Sequence, residues 1–275
     1  MDWKPTEWVI TDTLNVPTAQ FLAATLDRDD PLGAGDSLPD GWHWCYFLNA
    51  AKRSSLGYDG HAEKGGFLPP TDLPRRMWAG SQFQFHAPLR LGETIVRKSN
   101  VINVEKKQGK SGRLEFVQVE HRYFGSDGKP RMTERHDIVY RDIDTDPNPD
   151  KPILARSVPW VAERSLTITP DPVLLFRYSA LTFNGHRIHY DVPFCREQEG
   201  YRHLVVHGPL VATLLMNFAN DHARGSRMRA FEFKARSPLF CDAAFALHQR
   251  AESGYVQLWA TNENGGLAME ARAFF

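Results

Sequence analysis

The chain has 275 residues, room for one large domain or two of common size, and its 42% hydrophobic and 12% aromatic content excludes disorder over most of that length. Lys plus Arg and Asp plus Glu balance at 33 each, which argues against a nucleic-acid binder that works by neutralising phosphates. Cys45, Cys195 and Cys241 are odd in number and far apart, no apolar leader opens the chain, and no apolar stretch is unbroken, so a soluble cytoplasmic protein with reduced thiols is expected.

In chain order, "VPTAQFLAATLD" is the first helix candidate. "RRMWAGSQFQFHAPLRLGETI" follows, with alternating Phe83 and Phe85 ahead of Pro88 and Leu89. "TIVRKSNVINVEKK" and "GRLEFVQVEHRYF" then alternate as strands do, and the intervening "KKQGKSG" reads as a hairpin tip with Lys106, Lys107 and Lys110 solvated. The acidic, turn-rich "DIDTDPNPDKP", residues 142–152, reads as a linker between 1–141 and 153–275.

The second half repeats the first. "SRMRAFEFKARSPLFCDAAF" brings back Arg-Met-x-Ala, alternating Phe231 and Phe233, then Pro238 and Leu239, and is followed by the strand-like "FALHQRAE" and "GYVQLWATNENGGLAMEARAFF". Ahead of these, "GPLVATLLMNFANDHA" sets Leu210, Leu214, Leu215, Phe218 and His222 at helical spacing, with Pro209 in the first turn where no N–H is needed. This helix is apolar on more than one face, so a sheet should wrap it. The expected class is α+β, an antiparallel sheet curled around a central helix, made twice in tandem.

Chemistry concentrates in "NGHRIHYD", residues 184–191, which offers His186, Arg187, His189 and Asp191 in one short loop. His suits proton transfer near neutrality. "HRIH" lacks a third ligand at a recognised metal spacing, and no metal is expected. Asp191 follows His189 by two, so on an extended segment both point the same way; it is read either as polarising that histidine or as a surface acid. His207, before the helix, is left open between packing, capping and lining a cleft.

"YSALTFNGHRIHYDVPF" followed by "LVVHGPLVATLL" resembles the hydratase motif and central helix of the MaoC-like, or R-specific enoyl-CoA hydratase, family, whose fold is the hot dog. "YFLNAAKRSSLGYDGH", "GGFLPPTDLPRRMWAG" and "SGRLEFVQVEHRYF" are similar to the amino-terminal domain of fungal-synthase-like dehydratases and of mesaconyl-CoA or itaconyl-CoA hydratases. The resemblance implies a double hot dog with its site between the halves. The family pattern is an aspartate, four residues, then a histidine; here Asn184 stands at the aspartate position and His189 at the histidine.

By that resemblance His189 is the base and acid, Asn184 positions water, and the Gly208 amide stabilises an enolate oxygen. Arg227, Arg229, Lys234 and Arg236, with Arg224, are read as a solvated face or as a site for coenzyme A phosphates. Arg75, Arg76 and Arg187 are the candidates for a substrate carboxylate, and Trp78 for the acyl pocket. "GYDGH", with Asp59 and His61, is expected to shape that pocket without performing chemistry. The implied reaction is hydration of a short dicarboxylic enoyl-CoA, mesaconyl-CoA or itaconyl-CoA, to citramalyl-CoA, with no cofactor beyond the coenzyme A of the substrate. A dehydratase for longer acyl chains, a thioesterase and a silent acyl-CoA binder are the alternatives; monomer and homodimer both stay open.

Overall fold

The computed structural model describes residues 3–109, 112–142, 148–152, 155–223 and 225–275. Lys110, Arg224 and residues 143–147 of the expected linker lie outside the described residues. The first half carries β1 (Trp8–Thr13), β2 (Arg75–Phe85), β3 (Thr94–Gly109), β4 (Gly112–Gly125) and β5 (Pro130–Arg141). The second carries β6 (Arg164–Ile168), β7 (Ala230–Ala235), β8 (Phe245–Glu252), β9 (Tyr255–Thr261) and β10 (Leu267–Phe274).

All ten form one antiparallel sheet in the order β1-β3-β4-β5-β2-β7-β10-β9-β8-β6. Outward from its centre each half reads the same: β2, β5, β4, β3, β1 on one side and β7, β10, β9, β8, β6 on the other. The two expected sheets are thus joined edge to edge, which leaves neither β2 nor β7 with an unpaired inner edge. Phe83 stands directly opposite Phe231 at the join. These are the residues that the sequence repeat aligns with each other, and a duplicated chain folding about a pseudo-twofold axis must pair them so.

Among the described residues four α-helices accompany the sheet: α1 (Val16–Thr25), α2 (Pro172–Leu181), the short α3 (Val192–Phe194) and α4 (Gly208–Asn220). Among the described residues no helix is long and apolar enough to cross a membrane. Helix α4 packs against β7, β8, β9 and β10, with Leu210, Leu215 and Met216 fully buried, as its many-sided apolar pattern requires. Helix α1 is capped by Asn15, whose Oδ1 accepts the Thr18 N–H at 2.9 Å, and it packs on α2 and on the 3-10 turn Trp42–Cys45.

The halves therefore differ in what fills their curve. The stretch after α1, with "DPLGAGDSLPDGW" and "KGGFLPPTDLP", carries too much Gly and Pro for a second long helix. Instead Trp42 enters the shared core, its Nε1–H donating to Asn217 Oδ1 of α4 at 3.2 Å. Gly41, at φ 84°, makes this approach possible; a Cβ there would lie 2.6 Å from Met216 Cε. A cavity of about 700 Å³ remains between residues 43–68 and the strands of the first half.

One irregularity in β2 prepares the site. Its register with β5 slips between Trp78 and Gly80, so Ala79 is an extra residue. Side chains alternate along a strand, and one inserted residue reverses the alternation. Phe83 and Ser81 face inward beyond the bulge, and Trp78 and Arg76 do so before it, whereas Met77 is exposed. The ladder with β7 ends at Gly80 and Lys234, and Arg75–Ala79 borders a cleft instead.

Candidate active site

The cleft encloses about 440 Å³, and Asn184, His186, His189 and Gly208 of the second half line it together with His61, Arg75, Arg76, Trp78 and His136 of the first. The loop begins where α2 stops. Thr182 Oγ1 donates to the Tyr178 carbonyl at 2.7 Å, and Phe183 takes the left-handed conformation at φ 49°. A bulky side chain adopts that conformation at a cost, so the turn is held by its surroundings. Asn184 then closes an Asx turn, its Oδ1 accepting the His186 N–H at 3.0 Å.

His189 is buried, on the 3-10 turn Arg187–His189. Its Nδ1 lies 2.7 Å from the carbonyl oxygen of Val205. A carbonyl only accepts, so Nδ1 carries the proton and Nε2 is left as the basic nitrogen. Burial, opposed by that hydrogen bond and reinforced by His61, holds the His189 pKa at about 4. The ring stacks on His207 at 3.5 Å between centroids, and His207 Nε2 is 2.8 Å from Ser179 Oγ. His207 therefore backs the catalytic candidate, with burial holding it well below its ordinary pKa.

Gly208 opens α4, and a first-turn N–H has no acceptor within its own helix. Nothing lies within 4 Å of the position a Cβ would take there. This amide lies at the positive end of a helix dipole, which favours a developing oxyanion.

Asp191 does not turn toward His189, because the segment is a 3-10 turn and not an extended strand. Its Oδ1 caps α3 through the Phe194 N–H at 3.0 Å, and its Oδ2 accepts from Arg187 Nη2 at 2.7 Å and Nε at 3.0 Å. Arg187 also donates to the Tyr58 carbonyl at 3.1 Å and sits 4.4 Å over the Phe194 ring, so it staples the loop and is not free for substrate. Arg75 is likewise committed, 2.6 Å from Glu199 and half-stacked on Tyr201. Arg76 differs. No carboxylate pairs with it among the described residues, and it borders this cleft, the first-half cavity and a third of about 810 Å³.

Trp78 is a fixed wall, its Nε1–H donating to the Gly80 carbonyl at 2.8 Å and to Ser81 Oγ at 3.0 Å. Among the described residues of the basic run after α4, Arg236 alone lines the cleft, and it is paired with Glu270. Phe231 and Phe233 point into the core, so Lys234, one residue on, lies on the opposite face of β7 beside Glu232 and Arg272. Arg227 and Arg229 are exposed and line none of the three cavities.

Sequence reasoning missed one group, around Glu134, and gave a second, Asp59 with His61, only a pocket-shaping part. Glu134 is wholly buried and accepts from Trp44 Nε1 at 3.0 Å and Tyr123 OH at 3.2 Å, with His43 Nε2 at 2.9 Å and His136 also against it. Burial alone would raise its pKa, but His136 and His43 hold it well below the carboxylate range. The second group is Asp59 with His61. Their segment is clamped on the hydratase loop: the Arg187 N–H donates to the Asp59 carbonyl at 2.9 Å, and a Cβ on Gly60 would sit 1.9 Å from the Gly185 oxygen. Asp59, His61 and His186 offer ligand atoms all within 4.8 Å of one another, the one such metal-sized grouping among the described residues.

Residues 41–241 match the family model of hydroxyacyl-thioester dehydratase type 2. The chain is 44% identical over 260 residues to mesaconyl-C(4)-CoA hydratase of Chloroflexus aurantiacus, covering 92% of this chain and 90% of that one. It is 29% identical to the mitochondrial hydroxyacyl-thioester dehydratase type 2 of Schizosaccharomyces pombe, over 84% of this chain and 86% of the other. In fold it is similar to a MaoC-like dehydratase from Phytophthora capsici, with a TM-score of 0.69 at 13% identity over 98% and 95% of the two chains. A Mycobacterium tuberculosis protein with a double hotdog fold superposes with a TM-score of 0.59 at 13% identity over 98% and 95%. The chain belongs to the hydroxyacyl-thioester dehydratase type 2 family, as a double hot-dog hydro-lyase of the enoyl-CoA hydratase type.

Proposed function

We propose that the protein adds water across the 2,3-double bond of a short dicarboxylic enoyl-CoA, mesaconyl-CoA or itaconyl-CoA, to give citramalyl-CoA. The observation that carries this is one cleft that holds the free Nε2 of His189, the Asn184 side chain, the Gly208 amide and an arginine with no carboxylate partner among the described residues. The 44% identity to mesaconyl-C(4)-CoA hydratase supports the same substrate. In this reading water's oxygen attacks C3, His189 takes the proton, Asn184 orients the water, and the Gly208 N–H steadies the enolate oxygen. Arg76 receives the free carboxylate as a charge-assisted pair.

A long fatty chain is a poorer fit. The adjoining 700 Å³ cavity, which shares Arg76, His136 and Ile138 with the cleft, also carries Arg97, whose buried Nε has no partner among the described residues and would be left dry against an apolar tail. Arg236, which lines the cleft while paired with Glu270, is the basic residue we assign to the coenzyme A moiety. Three buried free cysteines and no membrane-crossing helix among the described residues support a cytoplasmic location. We read 1–141 and 153–275 as the two hot-dog domains, on the strand order that each repeats.

Mass spectrometry of the protein with mesaconyl-CoA, itaconyl-CoA and crotonyl-CoA, beside His189→Ala, tests the reading. The expected result is one water gained on a dicarboxylyl-CoA and lost in the variant. Hydration of crotonyl-CoA alone overturns the substrate class, and release of free coenzyme A points to thioester cleavage.

A further inference from the structure

Hydration takes one proton from water and puts one on carbon, and an amide does neither. Asn184 is moreover occupied, its Oδ1 holding the His186 N–H at 3.0 Å. A proton left on His189 would face no anion, since its Nδ1 partner is the Val205 carbonyl and its stacking partner is another imidazole.

The first half supplies what is missing. His61 lines the same cleft as Asn184 and His189. Its Nδ1–H donates to Asp59 Oδ2 at 2.9 Å, which leaves Nε2 as the basic nitrogen. Asp59 Oδ1 also accepts the His61 backbone N–H at 3.0 Å, so carboxylate and ring are held as one unit. The His61 ring lies 4.0 Å from that of His186, which in turn lies 5.6 Å from that of His189. The contacts of Arg187 and Gly185 with Asp59 and Gly60 fix this pair on the hydratase loop.

We propose that His61, backed by Asp59, is the second acid–base residue of the site, holding the water jointly with His189 and standing in for the carboxylate absent at position 184. This deepens the hydratase reading and rests on it. As the oxygen bonds to C3, the π pair of the double bond moves into the thioester as an enolate, and the O–H pair stays on oxygen. The departing proton, taken up at His189 Nε2 and shared with His61 Nε2, settles on His61 beside Asp59 and then passes to C2 as the enolate collapses, restoring the carbonyl and both neutral rings. No proton is gained or lost overall. Burial lowers the His61 pKa while Asp59 raises it, so the ring is neutral at rest and the carboxylate steadies the imidazolium as it forms. The first half thus performs chemistry as well as shaping a pocket.

The test measures kcat and KM for His61→Ala, His61→Gln and Asp59→Asn against mesaconyl-CoA and crotonyl-CoA, with thermal melts to check folding. Both His61 variants should lose about 10²–10⁴-fold in kcat, with KM changed less than about threefold, and added imidazole should partly restore His61→Ala. His61→Gln keeps a polar group of similar reach in the cleft but cannot take a proton, so it separates chemistry from packing. The charged and titratable groups facing His61 are Asp59, Arg76, His186 and His189, with Lys64 beside Asp59. Because Asp59 raises the His61 pKa, Asp59→Asn should move the acid limb of kcat/KM to lower pH as it lowers the plateau. A folded His61→Gln with near wild-type kcat, or an unmoved acid limb in Asp59→Asn, overturns the proposal. Wild-type hydration of crotonyl-CoA alone overturns the substrate and leaves His61 to be judged on that thioester; hydration of neither overturns both.

Discussion

Replacing Arg76 with methionine keeps the length of the side chain and removes its charge. Arg76 is half-buried, faces inward because of the bulge at Ala79, and has no carboxylate partner among the described residues, so the pair it would make with substrate replaces no internal one. A hydrogen bond to a charged partner contributes about 1.5–3 kcal/mol. Partial solvent screening keeps the expected loss at about 1.5–2 kcal/mol, or about 10–30-fold in kcat/KM for mesaconyl-CoA. Crotonyl-CoA has no such carboxylate, and its kcat/KM should change less than about threefold. Initial rates of hydration, followed by loss of the conjugated thioester absorbance, give both numbers on one preparation. An equal loss on both thioesters would refute the reasoning, because Arg76 would then hold the cleft and not the carboxylate. Arg75→Met is the internal contrast: it strands buried Glu199, so it should lower stability as well as activity.

Gly60→Ala forces a Cβ into the Gly185 oxygen from a backbone at φ 86°; turnover should fall at least about tenfold while the thermal midpoint moves by a few degrees, and unchanged turnover would mean the two loops are not locked. Stability should fall on acidification from pH 6.5 toward 4. His189 is held at about 4, and His121, His186 and His207 are also lowered, so the unfolded chain binds more protons throughout that window. Each such histidine costs about 1.4 kcal/mol per pH unit there, and urea unfolding at pH 7.5 and 5.5 that gave equal stabilities would contradict their burial as neutral rings. Activity should survive dialysis against a chelator; a loss reversed by zinc would reassign Asp59, His61 and His186 as metal ligands.

What could be read from the sequence was carried by near neighbours. The repeated Phe pairs, the apolar pattern of α4 and the compact His loop are set by residues within a few positions of one another, and the structure brings Phe83 against Phe231, wraps α4 in sheet and buries His189. What could not be read depends on partners far along the chain. Arg75 meets Glu199 from 124 positions away, and Arg187 meets Tyr58 from 129, so neither arginine's commitment leaves a local trace. Asp191, left open between polarising His189 and a surface acid, pairs with Arg187 because two positions place side chains together on a strand but not on a 3-10 turn. Lys234, in a run left open between a solvated face and a coenzyme A site, lies on the face of β7 opposite Phe233, whereas Arg236, just beyond the end of the strand, lines the cleft.

The asymmetry between the halves has a physical logic. In a symmetric dimer of single hot dogs, one sequence must supply the core helix and the site loop to both subunits, and any change to one is a change to the other. Two copies on one chain are free of that constraint. Here the second half keeps the apolar helix and, with it, the amide at Gly208. The first half has a Gly- and Pro-rich stretch in place of an equally buried helix, and that exchange leaves the 700 Å³ cavity beside His43 and Tyr123 and the short turn that carries Asp59 and His61 across to the other half. The shared sheet and the burial of Trp42 under α4 hold the two in register, so a site divided between halves keeps its geometry without a subunit interface to maintain it.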